Sequence, residues 1–150
     1  MAREMGDRIG TYSALYNLAR VALADGERAA ADRMLREAVA LSAQVGPRAN
    51  VAYCLEGLAA TAEALGEVER SARLIGAAED LLQMIAEAPF YKDYKPNLSL
   101  RDRTAALHSR LGEVDFEKCR AEGRAMTFEQ AVEYSLEDAT SSRLPKQRAG

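Results

Sequence analysis

The run LYNLARVALADGERAAADRMLREAVAL, starting at Leu15, returns without a gap as LEGLAATAEALGEVERSARLIGAAEDL at Leu55, an offset of 40 residues. A fixed internal period constrains a fold more than any single residue, because each copy must bury its apolar face on its neighbours. The matches fall at helical spacing. Leu15 pairs with Leu55, Leu18 with Leu58, Ala19 with Ala59 and Ala22 with Ala62, positions that share one helical face. Past a glycine, Met34 pairs with Leu74, Leu35 with Ile75, Ala38 with Ala78 and Leu41 with Leu81. Each unit therefore reads as two helices.

The connections support this reading. Asp25-Gly26-Glu27 and Leu65-Gly66-Glu67 place glycine just past an apolar helix, where a left-handed residue ends the helix at least cost, and the acid that follows suits the positive end of the next one. Small residues recur where paired backbones must approach: Ala19, Ala31 and Ala38 in the first unit, Ala59, Ser71 and Ala78 in the second. Leu15, Leu18, Leu35, Leu58 and Leu74 are the expected core, each costing about 2–5 kcal/mol if cut to alanine.

The spacing of Leu15, Leu18, Ala19, Gly26, Ala31, Leu35 and Ala38 resembles the tetratricopeptide repeat (TPR), and Leu55, Leu58, Ala59, Gly66, Ile75 and Ala78 keep the same frame. The usual TPR period is about 34 residues, so the longer period here implies longer helices or connections. Stretches such as YCLEGLAATAEALGEVERSARLIGAAEDL and FEKCRAEGRAMTFEQAVEYSLE are similar to the carboxyl-terminal helical-repeat region of LuxR-type and SARP-type bacterial multidomain transcriptional regulators and related signalling ATPases. The resemblance spans roughly residues 10–138 and implies an all-α fold: a right-handed stack of antiparallel helix pairs, a TPR-like α-solenoid of about seven helices. It implies a role in protein binding or effector sensing within transcription regulation. The chain contains no P-loop signature and nothing after Ser141 that could form a helix-turn-helix, so an excised piece or a stand-alone relative is expected.

The units are expected at 8–46, 48–87 and 97–125, with a capping helix at 127–137, one repeat domain over 1–138 and a tail or linker at 139–150. The third unit opens like the others. Leu100, Thr104, Leu107 and Leu111 share a face, and Leu111-Gly112-Glu113-Val114 repeats the LGEV at Leu65. Continued without a gap, however, the frame puts Glu117 at the position of Ala31 and Ser71, and Arg124 at that of Ala38 and Ala78. Neither fits a tight helix contact, so this unit reads as degenerate. Thr127 to Gln130 forms a capping box, and the helix it starts, with Phe128, Val132 and Leu136 on its apolar face, is expected to lid the end of the stack.

Chemistry is less visible. His108 is the single histidine, with no second ligand one turn away and no C-x-x-C, so no metal site is predicted, and Cys54 and Cys119 read as buried thiols. No nucleophile lies in a catalytic motif, and pairs such as Glu129 with Glu133 read as solvated charge, so neither catalysis nor a cofactor is expected. An enzyme with an unrecognised site is the less favoured alternative. In the segment 88–97, between Pro89 and Pro96, Phe90, Tyr91 and Tyr94 with Lys92 and Lys95 allow a base-stacking reading, but pinning of a loop over a groove is preferred.

A net charge of −3 without a basic stripe argues against direct nucleic-acid binding. No membrane span or signal peptide is legible, and the prediction is a cytoplasmic protein. A partner surface remains. In a helical-pair stack the first helices line the concave side, which nominates Ser13, Tyr16, Asn17 and Arg20, then Tyr53, Glu56, Ala60 and Glu63. Tyr16, Asn17, Arg20, Tyr53 and Glu56 are the leading candidates to contact a protein or peptide, a neighbouring domain or a small effector, since Tyr and Arg are enriched at binding hot spots. The alternatives are that they coat a wet groove or that Tyr53 packs between units. Homo-oligomerisation through an uncapped first helix is the rival reading.

Overall fold

The computed structural model describes residues 2–45, 48–87 and 98–137. These form seven helices: α1 (Ala2–Ala24), α2 (Arg28–Gln44), α3 (Arg48–Ala64), α4 (Val68–Glu87), α5 (Leu98–Leu111), α6 (Glu113–Arg124) and α7 (Phe128–Ser135). The described part is helical throughout, without a strand. The aromatic and basic segment 88–97 and the tail from 138 onward lie outside the described residues.

Gly26, Gly66 and Gly112 have φ values of 84°, 85° and 85°, the left-handed conformation their place in the repeat requires. The first two close their helices identically. Gly26 N donates to Leu23 O and Glu27 N to Ala22 O; Gly66 N donates to Glu63 O and Glu67 N to Ala62 O. This doubled pattern is a Schellman motif, and it leaves the glutamate as N-cap of the next helix. The third turn is tighter. Gly112 N donates to His108 O, the single bond of the αL motif, and Gly112 itself is the N-cap of α6, with Phe116 N donating to its carbonyl.

The consequence is a shift of one residue. Counted from the N-cap, Ala31 and Ser71 correspond to Phe116, Met34 and Leu74 to Cys119, Ala38 and Ala78 to Gly123, and Leu41 and Leu81 to Met126. Phe116, Cys119 and Gly123 are buried, whereas Glu117 and Arg124 are exposed. The gap-free continuation of the repeat into α6 is therefore corrected: with the shorter turn, Gly123 takes the place of Ala38 and Ala78, while the large Phe116 stands where Ala31 and Ser71 do.

Packing is heaviest between α1 and α2, α3 and α4, α2 and α3, and α4 and α6. The core runs through Leu35, Val39, Leu55, Leu58, Leu74, Ile75, Leu107, Phe116 and Tyr134. Ala19, Ala31, Ala38, Ala59, Ser71 and Ala78 are all buried, as the repeat requires. Leu18 is not in the core: it is 55% exposed, and Val21 beside it is 59% exposed. Its counterpart Leu58 lies on a helix packed on both α2 and α4, whereas α1 packs chiefly on α2. Position in the array, not the residue, makes the difference.

Helices α4 and α6 cross at two glycines. A Cβ on Gly76 would overlap the Arg120 carbonyl oxygen, and one on Gly123 would overlap that of Arg73. A glycine inside a helix costs about 1 kcal/mol relative to alanine, which the close contact offsets. Ion pairs flank the crossing: Arg73 Nε to Glu122 Oε1 at 3.1 Å, Arg120 to both oxygens of Glu79 at 2.6 Å, and Arg124 to Asp80 at 3.5 Å. All are partly solvated, so each contributes little energy while favouring one register.

Helix α7 is not a lid on the third unit. It packs back on α2, α3 and α4. Its capping box forms as expected, with Thr127 Oγ1 accepting from Gln130 N and Gln130 Oε1 from Thr127 N. Its buried face is Ala131, Tyr134 and Ser135; Phe128 and Val132 flank that face and Leu136 is exposed. What turns the helix is its carboxyl end. Arg70 donates to Tyr134 O at 3.3 Å and Ser135 O at 3.0 Å, and Arg36 donates to Leu136 O at 3.3 Å. Cations at a helix carboxyl end satisfy carbonyls that lack intrahelical partners and complement the dipole.

Candidate functional site

The candidate surface lies where α1 meets α3. Tyr12, Tyr16 and Arg20 follow one another a turn apart on α1, so their side chains form one row. The Tyr12 and Tyr16 rings are stacked with centroids 6.0 Å apart and an interplanar angle of 23°, and the Arg20 guanidinium lies 5.9 Å from the Tyr16 centroid. Tyr12 is the buried anchor of the row. Its hydroxyl donates to Asn50 O on α3 at 3.3 Å and also reaches the Cys54 thiol.

Tyr16 is half-buried and interacts electrostatically with Glu56, Arg20, Cys54 and Tyr53. Four of the five leading candidates, Tyr16, Arg20, Tyr53 and Glu56, are thus brought together. Asn17 is exposed next to Tyr16 and Ser13 is exposed one turn before it. Glu56, expected on an open groove, is instead only 6% exposed, and Ala60 is buried as well. The reason is local. Between Val51 and Ala62 only Tyr53 and Gly57 escape burial, because α3 packs on α1, α2, α4 and α5. The run VAYCLEGLAATA has no continuous polar face, and a helix apolar on nearly all sides is an interior helix.

Burial raises the Tyr16 hydroxyl above its ordinary range and Glu56 adds to that, with Arg20 opposing. Burial also raises Tyr12 and pushes the Cys54 thiol up to about 12. These groups stay protonated at neutral pH. The site thus offers neutral hydroxyls on an aromatic floor, one exposed cation and one sheltered acidic side chain. Such a set can offer hydrogen bonds and a stacking face.

The other candidates are dispersed. His108, in the last turn of α5, packs its ring 5.2 Å from that of Phe116. Cys119 is buried on α6, and Glu129 and Glu133 are exposed on α7. Among the described residues no three His, Cys, Asp or Glu side chains group as metal ligands, and no helix is long and apolar enough to cross a membrane.

Sequence reasoning missed the groove holding α7. Arg70 is 2% exposed with its guanidinium 5.1 Å from the Tyr134 ring centroid, and Arg73 donates to the Tyr134 hydroxyl at 3.4 Å. No local pattern links residues 64 positions apart. The glycine crossing did leave a signal, because Gly76 and Gly123 interrupt otherwise good helix formers. The chain matches no protein-family model, no curated protein and no solved structure.

Proposed function

We propose that this protein is a non-catalytic interaction module: a TPR-like, right-handed stack of helix pairs belonging to, or related to, a bacterial transcriptional regulator and acting in the cytoplasm. The α1–α3 surface takes a protein segment, a neighbouring domain or a small effector. The observation carrying this reading is the convergence of half-buried Tyr16 and Tyr53 with exposed Arg20 and sheltered Glu56 at one helix junction. Rigid aromatics with a polar tip and an adjacent arginine lose little conformational entropy on binding.

The test is site-specific photo-crosslinking in cells from position 17, beside Tyr16, with Ala29 on α2 as an exposed control. A defined adduct from position 17 that disappears with Arg20→Glu is expected. Equal adducts from both positions would count against the site.

A second reading rests on Leu18 and Val21, large apolar side chains more than half exposed on one helix. Self-association through α1 would cover them. Light scattering over a hundredfold concentration range should then show a dimer that Leu18→Glu returns to monomer, while a constant monomeric mass removes this reading.

A further inference from the structure

We propose that the outer face of α1 receives the second helix of a further helix pair of this same repeat, docked on α1 as α2 docks on α3. The inference rests on the reading of the chain as a stack of helix pairs and not on the α1–α3 junction.

The face itself sets the question. Thr11, Ala14, Leu18 and Val21 lie on one side of α1 and all are exposed, with charge only at the ends of the row in Asp7 and Asp25. A helix that closes an array against water normally carries a polar outer surface. Helix α6, which packs on α4 and α5, does so: Glu113, Glu117, Lys118 and Arg124 are exposed on it. Helix α1 does not.

The repeat says what covers such a face. Forty residues on, the same positions are Val51, Cys54, Leu58 and Thr61 of α3, and all four are buried. Helix α2 lies on this side. A Cβ on Gly57, the counterpart of Asn17, would come 3.0 Å from a Leu35 methyl, and Thr61 Oγ1 donates to Asp32 Oδ1 at 3.5 Å. One copy of the face is thus covered by the second helix of the preceding pair, and the other copy meets water. The α2 of a second molecule cannot cover it, because its own α1 and α3 already pack on it.

The differences between the two copies describe the partner. Val21 stands where Thr61 does and has no hydroxyl to offer, so the arriving helix carries an apolar residue in place of Asp32. Asn17 fills the space that Gly57 leaves for Leu35, so the residue opposite it is smaller than leucine. An amphipathic helix with a small-residue ridge and no acid at its centre fits.

The probe is the chain lengthened by one period, residues 1–47 followed by 8–150, which sets a second α2 before the inner α1 with Arg8 at the place of Arg48. Val21→Cys, in the outer or the inner copy, is labelled with a thiol reagent; Cys54 and Cys119 are buried. The inner position should label about tenfold more slowly than the outer, and Asn17→Gly in the inner copy should slow it about threefold further by opening the slot for Leu35. Inner labelling as fast as outer in the Asn17→Gly form overturns the proposal, as does indifference to Asn17→Gly or exposure of Cys54 by the extension. Labelling of Val21→Cys in the natural chain that slows with rising concentration would give the face to a second copy, and also overturns it. Gly57→Val in the natural chain tests the stack itself and should lower the urea midpoint. No shift there removes the stack reading together with this inference; a clear shift without inner protection removes the inference alone.

Discussion

Gly76 on α4 and Gly123 on α6 face each other so closely that a methyl group on either would occupy the space of a carbonyl oxygen on the opposite helix. The contact joins α6 to α4. It forms between residues that helix propensity disfavours, because only their lack of a side chain lets the backbones approach.

Gly123→Ala and Gly76→Ala should each destabilise the protein by about 1–3 kcal/mol or more, although alanine is the better helix former. Gly10→Ala is the control: it lies on exposed α1 with open space around it, and should stabilise by about 0.5–1 kcal/mol. Urea denaturation of the three variants checks this. Equal shifts at Gly10 and Gly123 would mean the helices do not cross at the glycines.

Leu18→Ala should cost less than about 1 kcal/mol, and Leu58→Ala about 2–5 kcal/mol, since only the second leaves a cavity. Denaturation midpoints measured at low protein concentration decide it. A large loss at Leu18 would place another element over α1.

Alkali should weaken the fold through Cys54. Its folded-state pKa is raised to about 12 against a reference of 9.0, so the folded form holds the proton that the unfolded chain releases. The stabilisation is complete below about pH 9 and is lost progressively as pH rises toward 12, on the order of a few kcal/mol in all. Buried Tyr12, also raised, adds to the loss above about pH 10. Cys54→Ala should flatten the dependence of stability on pH between about 9 and 10. An unchanged slope would show that the thiol is not sheltered.

The Arg120–Glu79 pair should show a coupling of about 1 kcal/mol in a double-mutant cycle, near the upper end for a partly solvated pair, since its geometry is bidentate at 2.6 Å. The coupling should shrink in 1 M NaCl. A value of zero at low salt would remove the pair from any account of how α4 and α6 find their register.

Much of the fold was legible at Gly26, Gly66 and their flanking alanines, because local rules govern them: a left-handed turn needs glycine and a close helix contact needs a small side chain. The candidate surface was legible in part. Tyr16 and Arg20 could be placed on one face of α1 by periodicity, but Glu56 could not be assigned to solvent or interior from α3 alone. Its exposure depends on how many helices surround α3, which no spacing within the helix encodes.

The two copies of Leu-Gly-Glu-Val divide local information from tertiary most sharply. At Leu65 the helix starts after the glutamate; at Leu111, with the same four residues, it starts at the glutamate. Sequence alone determined that each copy ends one helix with a left-handed glycine and begins another. Tertiary structure decided which residue begins it, because the earlier start turns Phe116 and Gly123 inward and leaves Glu117 and Arg124 in water. It likewise decided where α7 lies. The capping box specifies that a helix begins at Phe128, but its resting place is fixed by distant residues: buried Arg70, whose guanidinium needs the carbonyl oxygens of Tyr134 and Ser135, and Arg36, which donates to Leu136 O.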